Sequence, residues 1–165
     1  MNISVPSPSF TRSRLATAIL LGGLVAGILD LSFAITSFIL RGKSTAMLLK
    51  VIAGGALGRE ALQGGPGTAA LGVVFHFCVS FGAAAVYCAG SRMLPFLNRH
   101  AFLSGLVYGL LVYEFMNLVV LPLSAYHKPF APPPLFVPDV LSHLFFVGLP
   151  IALIAKHQSS RSDPT

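Results

Sequence analysis

Residues 15–40 read LATAILLGGLVAGILDLSFAITSFIL, an unbroken apolar run whose one charged residue is Asp30. At 1.5 Å per residue, a helix of that length extends about 39 Å, more than the roughly 30 Å of hydrocarbon in a bilayer. The run therefore predicts a membrane span, opened after Arg12 and Arg14 and closed by Arg41. A cleavable signal peptide is the rival reading, with the basic start and the small-residue triplet Ser32-Phe33-Ala34 as its best case. The apolar stretch continues past that point and is too long for a signal-peptide core.

Outward from this run, three further segments approach the spanning length: 67–90, 101–122 and 139–155. The second starts after Gly64-Gly65-Pro66-Gly67, a turn and helix-start cluster, and the third stops at Pro122, whose ring cannot continue the helix without cost. The fourth is short for a span and carries Pro150, a kink that neighbouring helices must support. Composition agrees. Of 165 residues, 55% are hydrophobic and 10% charged, against roughly a quarter charged in soluble domains. That balance excludes a water-soluble globule and predicts an all-α polytopic membrane protein of four spans. Residues 1–14 form a polar N-terminal tail, 15–155 a single membrane domain, and 156–165 a disordered C-terminal tail.

The net charge of +6 does not point to nucleic acid, because the basic residues flank apolar runs singly or in pairs and form no stripe. With both termini on one side, six basic residues face five on the other, so the positive-inside rule barely orients the chain. The weight of the first helix and the positions of Arg99 and Lys156 at span ends favour cytoplasmic termini. Cys78 and Cys88 lie ten residues apart in one run, about 15 Å along a helix and beyond disulfide reach. Segment 41–66 is neither a clean loop nor a span. Gly54-Gly55 divides it into expected short helices near 45–53 and 56–63, packed at the membrane surface. The proline-rich loop 122–138 reads as a stiff interfacial cap in extended polyproline conformation.

The informative residues are those that lipid should exclude. Asp30 lies in the first span, His76 in the second, Glu114 and Asn117 in the third, and His143 in the fourth. Ionisable groups at membrane depth are costly unless paired or hydrated, so they normally face the bundle interior. Alternate spans run in opposite directions, which places Asp30, His76, Glu114 and His143 in one layer, on the loop-1 and loop-3 side of the midplane. Small residues share their faces. Gly23-x-x-x-Gly27 precedes Asp30 at helical spacing, Gly72 precedes His76, and Gly105, Gly109, Tyr113 and Asn117 form one stripe with Glu114 at its edge. Asp139 and His143, four apart, share a face of the fourth helix.

Three functions are open to such a layer. It can be interhelical glue without activity, the reading the residues favour most. It can instead be a proton or ion site in a small transporter-like protein, since carboxylates and imidazoles push each other's titration toward the physiological range. A metal-assisted enzyme would need local ligand spacing such as HExxH, and the ligands here come one per helix, so no metal, cofactor or catalytic residue is expected. The expected partner is the lipid bilayer, with a second copy of the chain as a further candidate on the Gly-rich faces.

The run Tyr108-Gly109, Tyr113 and Met116 to Ser124, taken with Gly64-Gly65, His76-Phe77 and His143 to Ile151, resembles a group of uncharacterised bacterial integral membrane proteins with four predicted helices. The chain is more weakly similar to YagU-like inner-membrane proteins, which share a mid-span His-Phe in the second helix and a Pro-ended third helix. The long first loop departs from theirs in being Gly-rich. The resemblance covers roughly residues 15–155 and implies four spans in a bacterial inner membrane. It brings no reaction, cofactor or catalytic residue.

Overall fold

The computed structural model describes residues 12–125 and 137–160. These residues are all-helical, and four of the helices are long and apolar enough to cross a membrane. They are α1 (Arg12–Leu40), α3 (Pro66–Met93), α4 (Ala101–Leu123) and α5 (Val137–Ser160), with a shorter helix α2 (Thr45–Leu57) between the first two. The chain is accordingly a multi-pass membrane protein. The expected cap at 122–138 lies, from residue 126 to 136, outside the described residues, as do residues 1–11 and 161–165 of the terminal tails.

Several boundaries move relative to the sequence reading, each for a physical reason. The fourth span extends to Ser160, so residues 156–160 are helical where a tail was expected, and its 24 residues suffice to cross a bilayer. Residues 12–14 likewise belong to α1. The first loop does not break at Gly54-Gly55. Instead α2 runs through both glycines and ends at Gly58, whose φ of 78° is the left-handed conformation that favours glycine. A single 3₁₀ turn, Arg59–Gln63, follows.

Spatially, α1 and α5 form the central pair, with α3 packed on α1 and α4 packed on α5. The core at their junction is made of small residues: Ala18, Ala26, Ala84, Cys88, Ala152 and Ala155, with Ile151 filling the centre. Lipid tails are as apolar as leucine, so helices in a bilayer gain by close contact and not by hiding from water. Gly22 illustrates this, since a Cβ there would sit in ordinary contact with Ala84 and the Ile151 backbone. The seam between α3 and α4 is thin. It is closed by the Tyr108 hydroxyl, which donates to the Ala83 carbonyl at 2.6 Å, and by an edge contact of the Tyr87 and Tyr108 rings at 5.0 Å.

The glycine pairs act differently on different helices. Gly23 and Gly27 accept the rings of Phe81 and Phe77 from α3, so this small-xxx-small face receives aromatic knobs, with the Phe81 backbone also close to Gly23. Gly72 faces α2, where a Cβ would collide with the Leu49 carbonyl. Gly105 and Gly109 of α4 meet the α5 backbone between His143 and Leu149, and Gly148 reciprocates against Gly105 and Gly109. That crossing brings the two spans together backbone to backbone.

Both α4 and α5 contain a π-helical segment, Met116–Val120 and His143–Gly148. Each ends two residues before a proline, Pro122 and Pro150. Proline has no N–H to give the carbonyl four residues back, and its ring crowds that carbonyl. Those carbonyls belong to Leu118 and Phe146, inside the π segments. The ladder responds by widening: Leu121 N–H bonds to the Met116 carbonyl and Leu149 N–H to the Leu144 carbonyl, each five residues back.

Candidate functional site

The second half of α1 presents Asp30, Ala34, Ser37 and Arg41 at spacings of three and four, one stripe down the helix. Opposite it stand Tyr113, Asn117 and Leu121 of α4, and Asp139, Ser142 and His143 of α5. Together they enclose a half-open cavity of about 530 Å³. Arg41, which is exposed, lies eleven positions beyond Asp30, so the cavity runs about 16 Å along α1, roughly half a bilayer. Phe33, Phe38 and Met116 add apolar wall. The depth comes from the α4–α5 crossing below, where Gly109 lets the His143 backbone settle onto α4.

Backbone carbonyls orient the imidazoles. His143 Nδ1 lies 2.9 Å from the Asp139 carbonyl, which only accepts, so Nδ1 carries a proton and donates. The Ser142 hydroxyl donates to the same carbonyl at 2.9 Å. The His143 ring stands edge-on to Tyr113 with centroids 5.3 Å apart. Asn117 Nδ2 donates to the Tyr113 carbonyl at 2.9 Å, leaving its amide oxygen and one N–H unspent. Asp139 lies close enough to feel the charges of Arg41, His143 and Asp30. Among the described residues, the half-buried Asp30 carboxylate has no hydrogen-bond or ion-pair partner.

Asp30, Asn117 and His143 of the anticipated layer thus line one cavity, and the other two members do not. His76 is engaged between α1 and α3, where Nε2–H donates to the Gly27 carbonyl at 3.0 Å. Phe77 stands edge-on to it at 5.5 Å. Glu114 is a correction to the layer. It lines a separate apolar cleft of about 800 Å³ between α3 and α4, walled by residues such as Val79, Val86 and Phe115. Consecutive helical residues point about 100° apart, so the step from Tyr113 to Glu114 turns the carboxylate away from the cavity. Arg41 was not anticipated in the site. Its signal was present in the sequence, because it continues the Asp30, Ala34, Ser37 stripe by four residues.

Among the described residues no three His, Cys, Asp or Glu side chains are grouped to hold a metal ion. Cys78 is exposed and Cys88 buried, and both are free thiols. Chemically, the cavity offers a carboxylate at depth, a second at the rim, an imidazole and a guanidinium near the mouth. Such a set can bind and release a cation. No family model, curated protein or solved structure matches the chain.

Proposed function

We propose that the chain is an inner-membrane protein with cytoplasmic termini that admits a proton or small cation into the α1–α4–α5 cavity, in the manner of a small transporter or sensor. The observation that carries this reading is the Asp30 carboxylate, half-buried in the cavity with no partner among the described residues. An ionised group at membrane depth is costly unless paired or hydrated. The opening toward Arg41 supplies hydration, and a solute entering from that side meets Asp30 last. The test is one-sided labelling of a Ser37→Cys variant, with Cys78 and Cys88 replaced by Ala, in oriented vesicles. A membrane-impermeant thiol reagent is expected to react from one face only, and proton or cation uptake is expected to fall in Asp30→Asn. An unreactive thiol in the Ser37→Cys variant together with unchanged uptake in Asp30→Asn overturns the reading.

A second role, interhelical glue without activity, is supported by His76. Its bond to Gly27 joins two spans. The two roles divide the intramembrane polar set: His76 stabilises, and Asp30, Asn117 and His143 bind. No catalytic residue is assigned. The Gly-rich, thin-walled bundle also supports pairing with a second copy, checked by crosslinking at native expression.

A further inference from the structure

Resting on the reading of the cavity as a cation site, we infer that its ligand is an organic primary ammonium with an apolar body, held through Asp30, and not a bare ion. Size is the first argument. A volume of about 530 Å³ falls in the range of small-molecule pockets, roughly 300–1,000 Å³, whereas a bare metal cation needs six or more oxygens closed around it. Among the described residues no three His, Cys, Asp or Glu side chains are grouped to contribute to one.

Hydrogen-bond bookkeeping is the second. His143 spends its Nδ1–H on the Asp139 carbonyl, and Ser142 spends its hydroxyl proton there too. The Asp30 carboxylate and the Asn117 amide oxygen remain as acceptors, beside the Ser37 hydroxyl and one Asn117 N–H. A ligand that satisfies them must carry several N–H donors and positive charge, and a primary ammonium carries three. The lining sets two carboxyl groups, Asp30 and Asp139, against the one guanidinium of Arg41.

The walls supply the third argument. Phe33, Phe38 and Met116 give the ligand's body an apolar surface, and aromatic faces attract ammonium groups. Phe38 already shows this affinity, since Lys43 Nζ stands 5.6 Å from its ring centroid. Arg41 near the mouth disfavours a ligand with a second cation at that end.

The test is thermal unfolding of the full chain in lipid nanodiscs, titrated with 2-phenylethylammonium chloride. Matched probes are 2-phenylethanol, phenylethyltrimethylammonium, ammonium chloride and sodium chloride. The expected result is a saturable rise in unfolding temperature with the primary ammonium alone. Asp30→Asn is expected to weaken its apparent affinity about tenfold or more, the loss of a charge-assisted hydrogen bond. Ala34→Leu, which fills the cavity without altering its charge, is expected to abolish the rise and guards against misfolding of the Asp30 variant. If 2-phenylethanol matches the ammonium, the ligand class is overturned. If sodium or a pH step gives an Asp30-dependent shift while the amines do not, the ligand class is overturned and the cation site survives. Absence of any Asp30-dependent response overturns both.

Discussion

Gly109 of α4 lies against the backbone of His143 on α5 so closely that a Cβ there would collide with the His143 carbonyl. This contact does two things at once. It lets two spans meet backbone to backbone, and it sets the His143 imidazole beside Tyr113 at the inner wall of the cavity. Gly109→Ala is therefore expected to destabilise the protein by about 1–3 kcal/mol, the cost of overpacking a close contact. Gly82→Ala is the control, because a Cβ at Gly82 meets nothing within 4 Å. There the gain in helix propensity leaves stability unchanged or raised by up to about 1 kcal/mol. Thermal unfolding in mild detergent separates the two, and equal behaviour would refute the role of the crossing.

His76 is expected to behave as glue. Removing its bond to the Gly27 carbonyl in His76→Ala should cost about 0.6–2 kcal/mol for an interhelical hydrogen bond. The lost ring contact with Phe77 adds to this. His76→Gln, which keeps a side-chain N–H, should recover part of the loss, while transport or ligand binding stays near wild type. A large loss of binding with intact stability would place His76 in the functional path instead.

Asp30→Asn should show the opposite pattern. An unpaired carboxylate at membrane depth is held against stability, so neutralising it should leave the unfolding temperature unchanged or raise it while uptake falls. A clear destabilisation without loss of uptake would make Asp30 a structural residue.

Pro150 is the expected cause of the π segment at His143–Gly148. Pro150→Ala restores the missing N–H, and closing the segment to α register would turn Asp139 and His143 by up to about 100° relative to Ile151 and Ala155. The expected outcome, in the Ser37→Cys background, is a folded helical protein by circular dichroism in which one-sided thiol labelling and cation uptake are both altered. Unchanged labelling and uptake would show that the π segment does not set the cavity.

Much of the architecture is legible in the order of residues. The run 15–40 is apolar enough to announce its own span, and the Gly105, Gly109, Tyr113 stripe already marks where α4 meets a neighbour. The site was legible only in part. Asp30 and His143 were evident as polar residues in apolar runs, whereas Arg41 was not anticipated although it continues the Asp30 stripe at helical spacing. Glu114 misled, because depth along the membrane normal says nothing about the direction a side chain faces. The end of the fourth helix was also missed, since Lys156, His157 and Gln158 look like a tail although the backbone continues to Ser160.

The sequence by itself determined the number of spans, because transfer into lipid is a local property of a segment's length and composition. Only the tertiary structure decided which polar groups meet. That outcome depends on helix rotation and neighbour choice, set here by backbone contacts at Gly105, Gly109 and Gly148 and by two π segments. Each π segment re-aims everything before it by a fraction of a turn. Asp30 and His143 therefore share a cavity while Glu114, one residue from Tyr113, faces another cleft.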